Sequence, residues 1–139
     1  QAIKTPDFII DDTCFSTVTM NYSWRTACHK DAGDFKDGFG NILVCENKKS
    51  PYNYKGCYLG FPQYGVCLNV RHGDFCATNV HEWHCNTEFI PDFDISILNK
   101  FNGSKKMNKD KLLQLKNEWY FNRLSMVFYL REKMINCSE

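Results

Sequence analysis

With 139 residues and a formal net charge of +1, from seventeen basic against sixteen acidic side chains, the chain has the size of one domain and lacks the basic balance of a nucleic-acid-binding domain. No run reaches the roughly 18–20 consecutive apolar residues of a membrane span, so no membrane insertion is expected. Eight cysteines, Cys14, Cys28, Cys45, Cys57, Cys67, Cys76, Cys85 and Cys137, show no Cys-x-x-Cys spacing; their even count predicts four disulfides rather than a zinc or redox motif, and hence an oxidising, extracellular compartment.

The chain starts at Gln1 rather than Met, which fits a mature form after removal of a signal peptide. Residues 15–20 mix β-branched and aromatic side chains and predict a first strand, and 41–45 predict a second. Between them DAGDFKDGFGN (31–41) reads as a solvated acidic turn, because it lacks the alternating oxygen ligands and distal Glu of an EF-hand loop. Turn signals at Ser50-Pro51, Phe61-Pro62 and His72-Gly73 separate further strands over 65–70 and 75–83. Beyond Pro91 the pattern changes. Residues 93–101 predict a short amphipathic helix, and 109–134, free of Gly and Pro, predict a long one whose face carries Leu112, Leu115, Trp119, Met126, Leu130 and Met134. The expected fold is α+β: a disulfide-stapled antiparallel sheet of about four strands packed with a short helix and a long C-terminal helix. It forms a single domain over 1–139, with a strand and turn part (1–90) and a helical part (91–139) tied back by Cys137.

VHEWHCN (80–86) places two histidines around an acid and a tryptophan. A zincin needs His-Glu-x-x-His on one helical face; here the spacing is i, i+3 in a strand-like segment, where His81 and His84 point to opposite sides and cannot share one metal. Ribonucleases of the T2 type also carry His-Glu-Trp, but the Lys-His-Gly-x-Cys and His-Gly-Leu-Trp-Pro stretches that accompany it there are missing here. His29 could pair with His81 or His84 for acid–base work, yet nothing in the sequence forces them together. The segment reads as a strand leading into a disulfide at Cys85, and no catalytic residue, metal or cofactor is assigned.

Other segments suggest binding. KSPYNYKGCYLGFPQYG (49–65) is turn-rich and aromatic, and its Tyr52, Tyr54, Tyr58, Phe61 and Tyr64 form the candidate partner-binding surface. The lysines between 100 and 116 read as the wet face of a turn and helix, and Trp119-Tyr120-Phe121 as core. Asn21, Asn102 and Asn136 head Asn-x-Ser sequons, which are N-glycosylation sites on a secreted chain.

Four predicted disulfides, a sheet closed by a helix, and Trp24-Arg25 shortly before Cys28 together resemble the cysteine-rich avirulence effectors of leaf-infecting fungi, the Leptosphaeria type with relatives among the extracellular proteins of tomato leaf mould. That resemblance implies a secreted, non-enzymatic, monomeric effector that binds a host protein or glycan, or a host immune receptor, and modulates host defence, with later uptake into host cells. No nucleic-acid partner is expected. The alternatives are a salivary protein of a blood-feeding arthropod, a carbohydrate-binding module, and a secreted hydrolase using His81 and His84.

Overall fold

The computed structural model describes residues 9–48, 53–91 and 123–135, and within them the chain is built almost wholly of strands. β1 (Thr17–Tyr22), β2 (Gly40–Glu46), β6 (Phe75–Thr78) and β9 (Arg123–Tyr129) form an antiparallel sheet in the order β1-β9-β2-β6. β4 (Leu59–Phe61) lies between β5 (Val66–Leu68) and β7 (Cys85–Asn86) in a three-stranded sheet, and β3 (Tyr54–Gly56) pairs with β8 (Phe89–Pro91). A single 3₁₀ turn at Pro62–Tyr64 and a one-turn helix at Glu132–Ile135 complete the described elements.

Packing follows from residue alternation. In β2, Ile42 and Val44 are buried, and Val44 is wholly enclosed. They meet Leu59 of β4 and Val70, with Phe61, Leu68, Cys76 and Val127 packed around them, so the core lies between the four-stranded and three-stranded sheets. Burying an aliphatic side chain such as Val44 stabilises the fold by about 1.5–3 kcal/mol. At one end of β2 the chains approach closely: a Cβ on Gly40 would lie 2.1 Å from a methyl of Val80. That approach sets Val80 over the sheet, and its carbonyl accepts a 2.9 Å hydrogen bond from the Asp31 N–H. The segments on either side of β2 are thereby brought to one place.

The expected α+β class is corrected on two counts. Residues 123–129 form a central strand flanked by β1 and β2, not part of a helix. Leu124, Met126 and Phe128 lie on one face of that strand and Arg123, Ser125 and Val127 on the other; a strand with apolar residues on both faces imitates helical spacing. Of the rest of that expected helix, 132–134 keep a helical turn within Glu132–Ile135, while 109–122, like the short helix over 93–101, lie outside the described residues. The second count is the disulfides. All seven described cysteines, from Cys14 to Cys85, are thiols; Cys137 lies outside the described residues. Burial pushes the thiols of Cys57 and Cys76 up from their ordinary range, which holds them protonated and inert.

Candidate active site

His29 and His84 face each other across an isolated antiparallel bridge, exchanging two backbone hydrogen bonds of 2.9 Å. Their rings lie 4.3 Å apart, centre to centre. Asp31 follows His29 by two residues, and extended backbone returns side chains to one face at that spacing. The outcome is a three-residue cluster: His29 Nε2 lies 3.0 Å and His84 Nε2 3.8 Å from Asp31 Oδ1, and the three donor atoms fall within 4.8 Å of one another. His84 is buried, while His29 and Asp31 are partly open to solvent.

The second nitrogen of each ring decides what the cluster can do. His29 Nδ1 lies 2.8 Å from the carbonyl of Ala27, and His84 Nδ1 lies 2.9 Å from the carbonyl of Glu82. A carbonyl only accepts, so each Nδ1 carries the hydrogen and donates it. Nε2 is thus the nitrogen of each ring left to bind a metal, and both Nε2 atoms face Asp31. Backbone bonds of this kind fix tautomer and ring orientation in metal-ligating histidines. Cis ligands about 2.1 Å from an octahedral ion lie about 3 Å apart, close to the separation between His29 and Asp31. Two imidazoles and one carboxylate on a single side of an ion make the facial triad of non-haem iron(II) oxygenases, whose remaining positions stay open.

The cluster opens into a cavity of about 360 Å³ lined on one side by Ser125, Val127 and Tyr129 of β9. Arg123 precedes Ser125 by two residues and so points to the same face, about 7 Å further along the strand at the usual rise. Its side chain is 1% exposed, and Nε and Nη1 find no hydrogen-bond partner among the described residues. Glu46, its cross-strand neighbour in β2, is engaged elsewhere: it accepts from the Tyr54 hydroxyl and pairs with Arg71 at 2.8 Å. A buried guanidinium with two idle donors is costly unless an anion completes it. A carboxylate matches its fork geometry. At the other side of the cavity lies Asp34, whose carboxyl is pushed up by burial and then by the nearby charge of Asp31.

The histidines of VHEWHCN part company here. His84 joins the cluster, whereas His81 Nε2 lies 3.3 Å from the carbonyl of Phe35 and does not line the cavity. Trp83 is exposed, with the Lys30 ammonium 5.7 Å from its ring centre. Among the expected binding aromatics, Tyr54 is buried, Tyr58 and Phe61 are partly buried, Tyr64 is exposed and Tyr52 lies outside the described residues. Asn21, the first sequon residue, lines the cavity; Asn102 and Asn136 lie outside the described residues.

The cluster has the residue types of the facial triad of non-haem iron oxygenases, and comparison with known proteins points to the same class. The chain belongs to the Tet_JBP family, described as the oxygenase domain of the 2OGFeDO superfamily, whose model matches residues 2–132. It is 33% identical over 132 residues to thymine dioxygenase JBP1 of Trypanosoma brucei brucei, covering 94% of this chain and 12% of that protein. Over 89 residues it is 39% identical to thymine dioxygenase JBP1-A of Trypanosoma cruzi (strain CL Brener), covering 63% of this chain and 10% of that one. The bifunctional helicase and thymine dioxygenase JBP2 of Trypanosoma brucei brucei (strain 927/4 GUTat10.1) is 35% identical over 88 residues, or 63% of this chain and 8% of that protein. The chain therefore spans about a tenth of the length of these relatives.

Family membership overturns the effector reading. A non-enzymatic avirulence protein gives way to an oxygenase domain, and the arthropod, carbohydrate-binding and His81/His84 hydrolase alternatives go with it. The secreted, extracellular setting rested on disulfides that the described cysteines do not form. The exclusion of nucleic acid rested on a charge of +1. Net charge reports on long phosphate-tracking surfaces, not on a cavity, and the relatives are named for oxidising a nucleobase.

Proposed function

We propose that the chain is the catalytic core of an iron(II)- and 2-oxoglutarate-dependent oxygenase that oxidises thymine in a nucleic acid. The observation that carries the proposal is the His29–Asp31–His84 cluster with both Nδ1 atoms tied to backbone carbonyls. His29 Nε2, His84 Nε2 and an Asp31 oxygen would hold the iron, and the idle Nε and Nη1 of Arg123 suit a carboxylate of 2-oxoglutarate. When bound, the pair supplies oxidation of a substrate C–H bond by dioxygen, with the 2-oxo acid as co-reductant.

The protein's own residues prepare that chemistry. The His29–His84 bridge fixes the spacing of the two rings before any ligand arrives. Asp31 brings a negative charge that offsets part of a cation's, and Val80 positions it through the bond to its N–H. Ile42, Leu59, Val80 and Val127 give the cavity apolar walls, which exclude water and strengthen electrostatic contacts inside it. The cavity is within the roughly 300–1,000 Å³ range of small-ligand sites, so a base would have to leave its stack to enter. Thymine enters this reading through the relatives' names, and its C5-methyl group carries oxidisable C–H bonds.

The test supplies the chain with iron(II), 2-oxoglutarate, air and a thymine-containing oligonucleotide. Succinate should form together with thymine that has gained one oxygen atom, and Asp31→Ala should abolish both. Succinate without a thymine product would reject thymine as substrate; absence of both would reject the oxygenase reading.

A further inference from the structure

Five aromatic side chains are exposed among the described residues: Trp24, Phe39, Tyr64, Phe75 and Trp83. Only Trp24 lines the cavity that holds the triad. It is 60% exposed, so most of its ring area faces solvent at the edge of a cavity whose walls come from β1, β2, β4 and β9. A solitary exposed tryptophan needs no explanation on a protein surface. One held at the mouth of a cavity beside the His29–Asp31–His84 cluster is a different matter, because its position is built in.

The segment that carries Trp24 is tethered on both sides. Ser23 takes the left-handed conformation, with φ of 43°, and its N–H donates to the Arg123 carbonyl at 2.9 Å. Such a backbone is uncommon for a residue other than glycine and persists only where its surroundings enforce it. Three residues on, the Thr26 carbonyl accepts a 3.2 Å bond from the Asn86 N–H, immediately after the His84-Cys85 pair. Trp24 therefore hangs between β9, which bears Arg123, and the start of the segment that bears His29. Its place relative to the triad is set by backbone hydrogen bonds.

We infer that Trp24 is a stacking platform for the substrate base, receiving the face of a thymine drawn out of its strand while the reacting edge points toward the triad. The inference rests on the thymine reading above and adds the residue that holds the base. Base–aromatic stacking needs an exposed flat ring at the site entrance and no hydrogen-bond code, and Trp24 offers that. Polar side chains of Thr19, Asn21 and Asn86 line the same cavity and leave the reading of the base edge to groups other than the indole.

The experiment compares binding of two fluorescently labelled single strands, alike except that one carries a single thymine and the other an abasic site at that position. The chain is loaded with iron(II) and 2-oxoglutarate in the absence of air. Wild-type protein should prefer the thymine strand, and Trp24→Ala should lose that preference by roughly 5- to 150-fold, the range of one base–aromatic stack. Trp24→Phe should keep most of it. Trp24→Ala should melt like the wild type and bind 2-oxoglutarate unchanged, while its KM for the thymine strand rises. Equal weakening toward both strands would overturn the inference in favour of a general backbone contact. Unchanged discrimination in Trp24→Ala, with thymine still oxidised, would overturn it alone. A wild-type chain that cannot tell the two strands apart and oxidises neither would remove the thymine reading together with the inference.

Discussion

His81 and His84 stand three residues apart, yet their ring nitrogens have different surroundings: His84 Nε2 faces Asp31, and His81 Nε2 faces the Phe35 carbonyl. His84→Ala should therefore lower iron(II) affinity by at least about 100-fold, beyond the roughly 10- to 100-fold cost of losing an outer-shell partner. His81→Ala should keep that affinity and lose about 1 kcal/mol of stability with its hydrogen bond. Anaerobic calorimetric titration separates the two, and matching losses would take His84 out of the centre. Arg123 gives a second contrast, in sign. Arg123→Met removes a buried charge with idle donors, so the ligand-free protein should be as stable as the wild type or more stable by about 1–4 kcal/mol. The rise in melting temperature that 2-oxoglutarate gives the wild type should vanish in the same variant. A variant that unfolds more easily without ligand would show that Arg123 is satisfied from within the protein. Of these residues the sequence made the His29-Lys30-Asp31 pair legible in principle, since i, i+2 spacing in extended chain puts both side chains on one face. Asp31 is hidden by also opening an acidic, turn-like stretch, and Arg123 by its apolar neighbours.

At the scale of elements, β1, β2, β5 and β6 were readable, whereas β3 and β4 lay hidden in the turn-rich stretch 49–65 and β9 in an apolar run of helical spacing. β2 and β6 carry β-branched or aromatic runs bounded by turn residues, which a single strand can announce. β9 is defined by its partners instead: Asn41–Glu46 on one side and Thr17–Tyr22 on the other pair with it residue by residue. Its pairing with the far end of the chain is long-range information that local periodicity does not hold. The same is true of the bridge that unites His29 with His84. The short β3–β8 pair permits a clean test of local packing. Gly56 has φ of +80° and a Cβ there would lie 1.8 Å from the Glu88 carbonyl oxygen, whereas Gly65 has φ of +62° and open space around it. Gly65→Ala should cost only the backbone term, about 1 kcal/mol. Gly56→Ala should cost that and the steric displacement of β8, about 2 kcal/mol or more in total. Urea denaturation reads both, and equal midpoints would mean that β8 yields freely.

For the whole molecule, the cysteine count was the most misleading signal, because an even number without Cys-x-x-Cys says nothing about which sulfurs meet. Cys67 and Cys85 sit on strands either side of Gly60, a hypothetical Cβ of which would lie 3.4 and 3.3 Å from their sulfurs, and both remain thiols. Alkylation in denaturant without reductant should label all seven described cysteines, and reductant should leave the unfolding midpoint unchanged; a native disulfide would contribute about 2–5 kcal/mol. The response of the whole fold to pH isolates another buried group. Asp34 is held between the backbone bridge to Arg131 and the charge of Asp31, and burial raises its carboxyl above the ordinary 3.8. The folded state then keeps the proton longer than the unfolded state, so unfolding releases it between 3.8 and the raised value. Raising pH through that window favours unfolding, and above it the penalty is fully present. Paired carboxylates elsewhere slope the opposite way, so the informative quantity is the difference between wild type and Asp34→Asn. Measured by urea midpoint across a pH series, the wild type should lose ground to Asp34→Asn as pH climbs from below 3.8, then run parallel to it. Curves parallel throughout would place Asp34 in a solvated setting and remove it from the cavity wall.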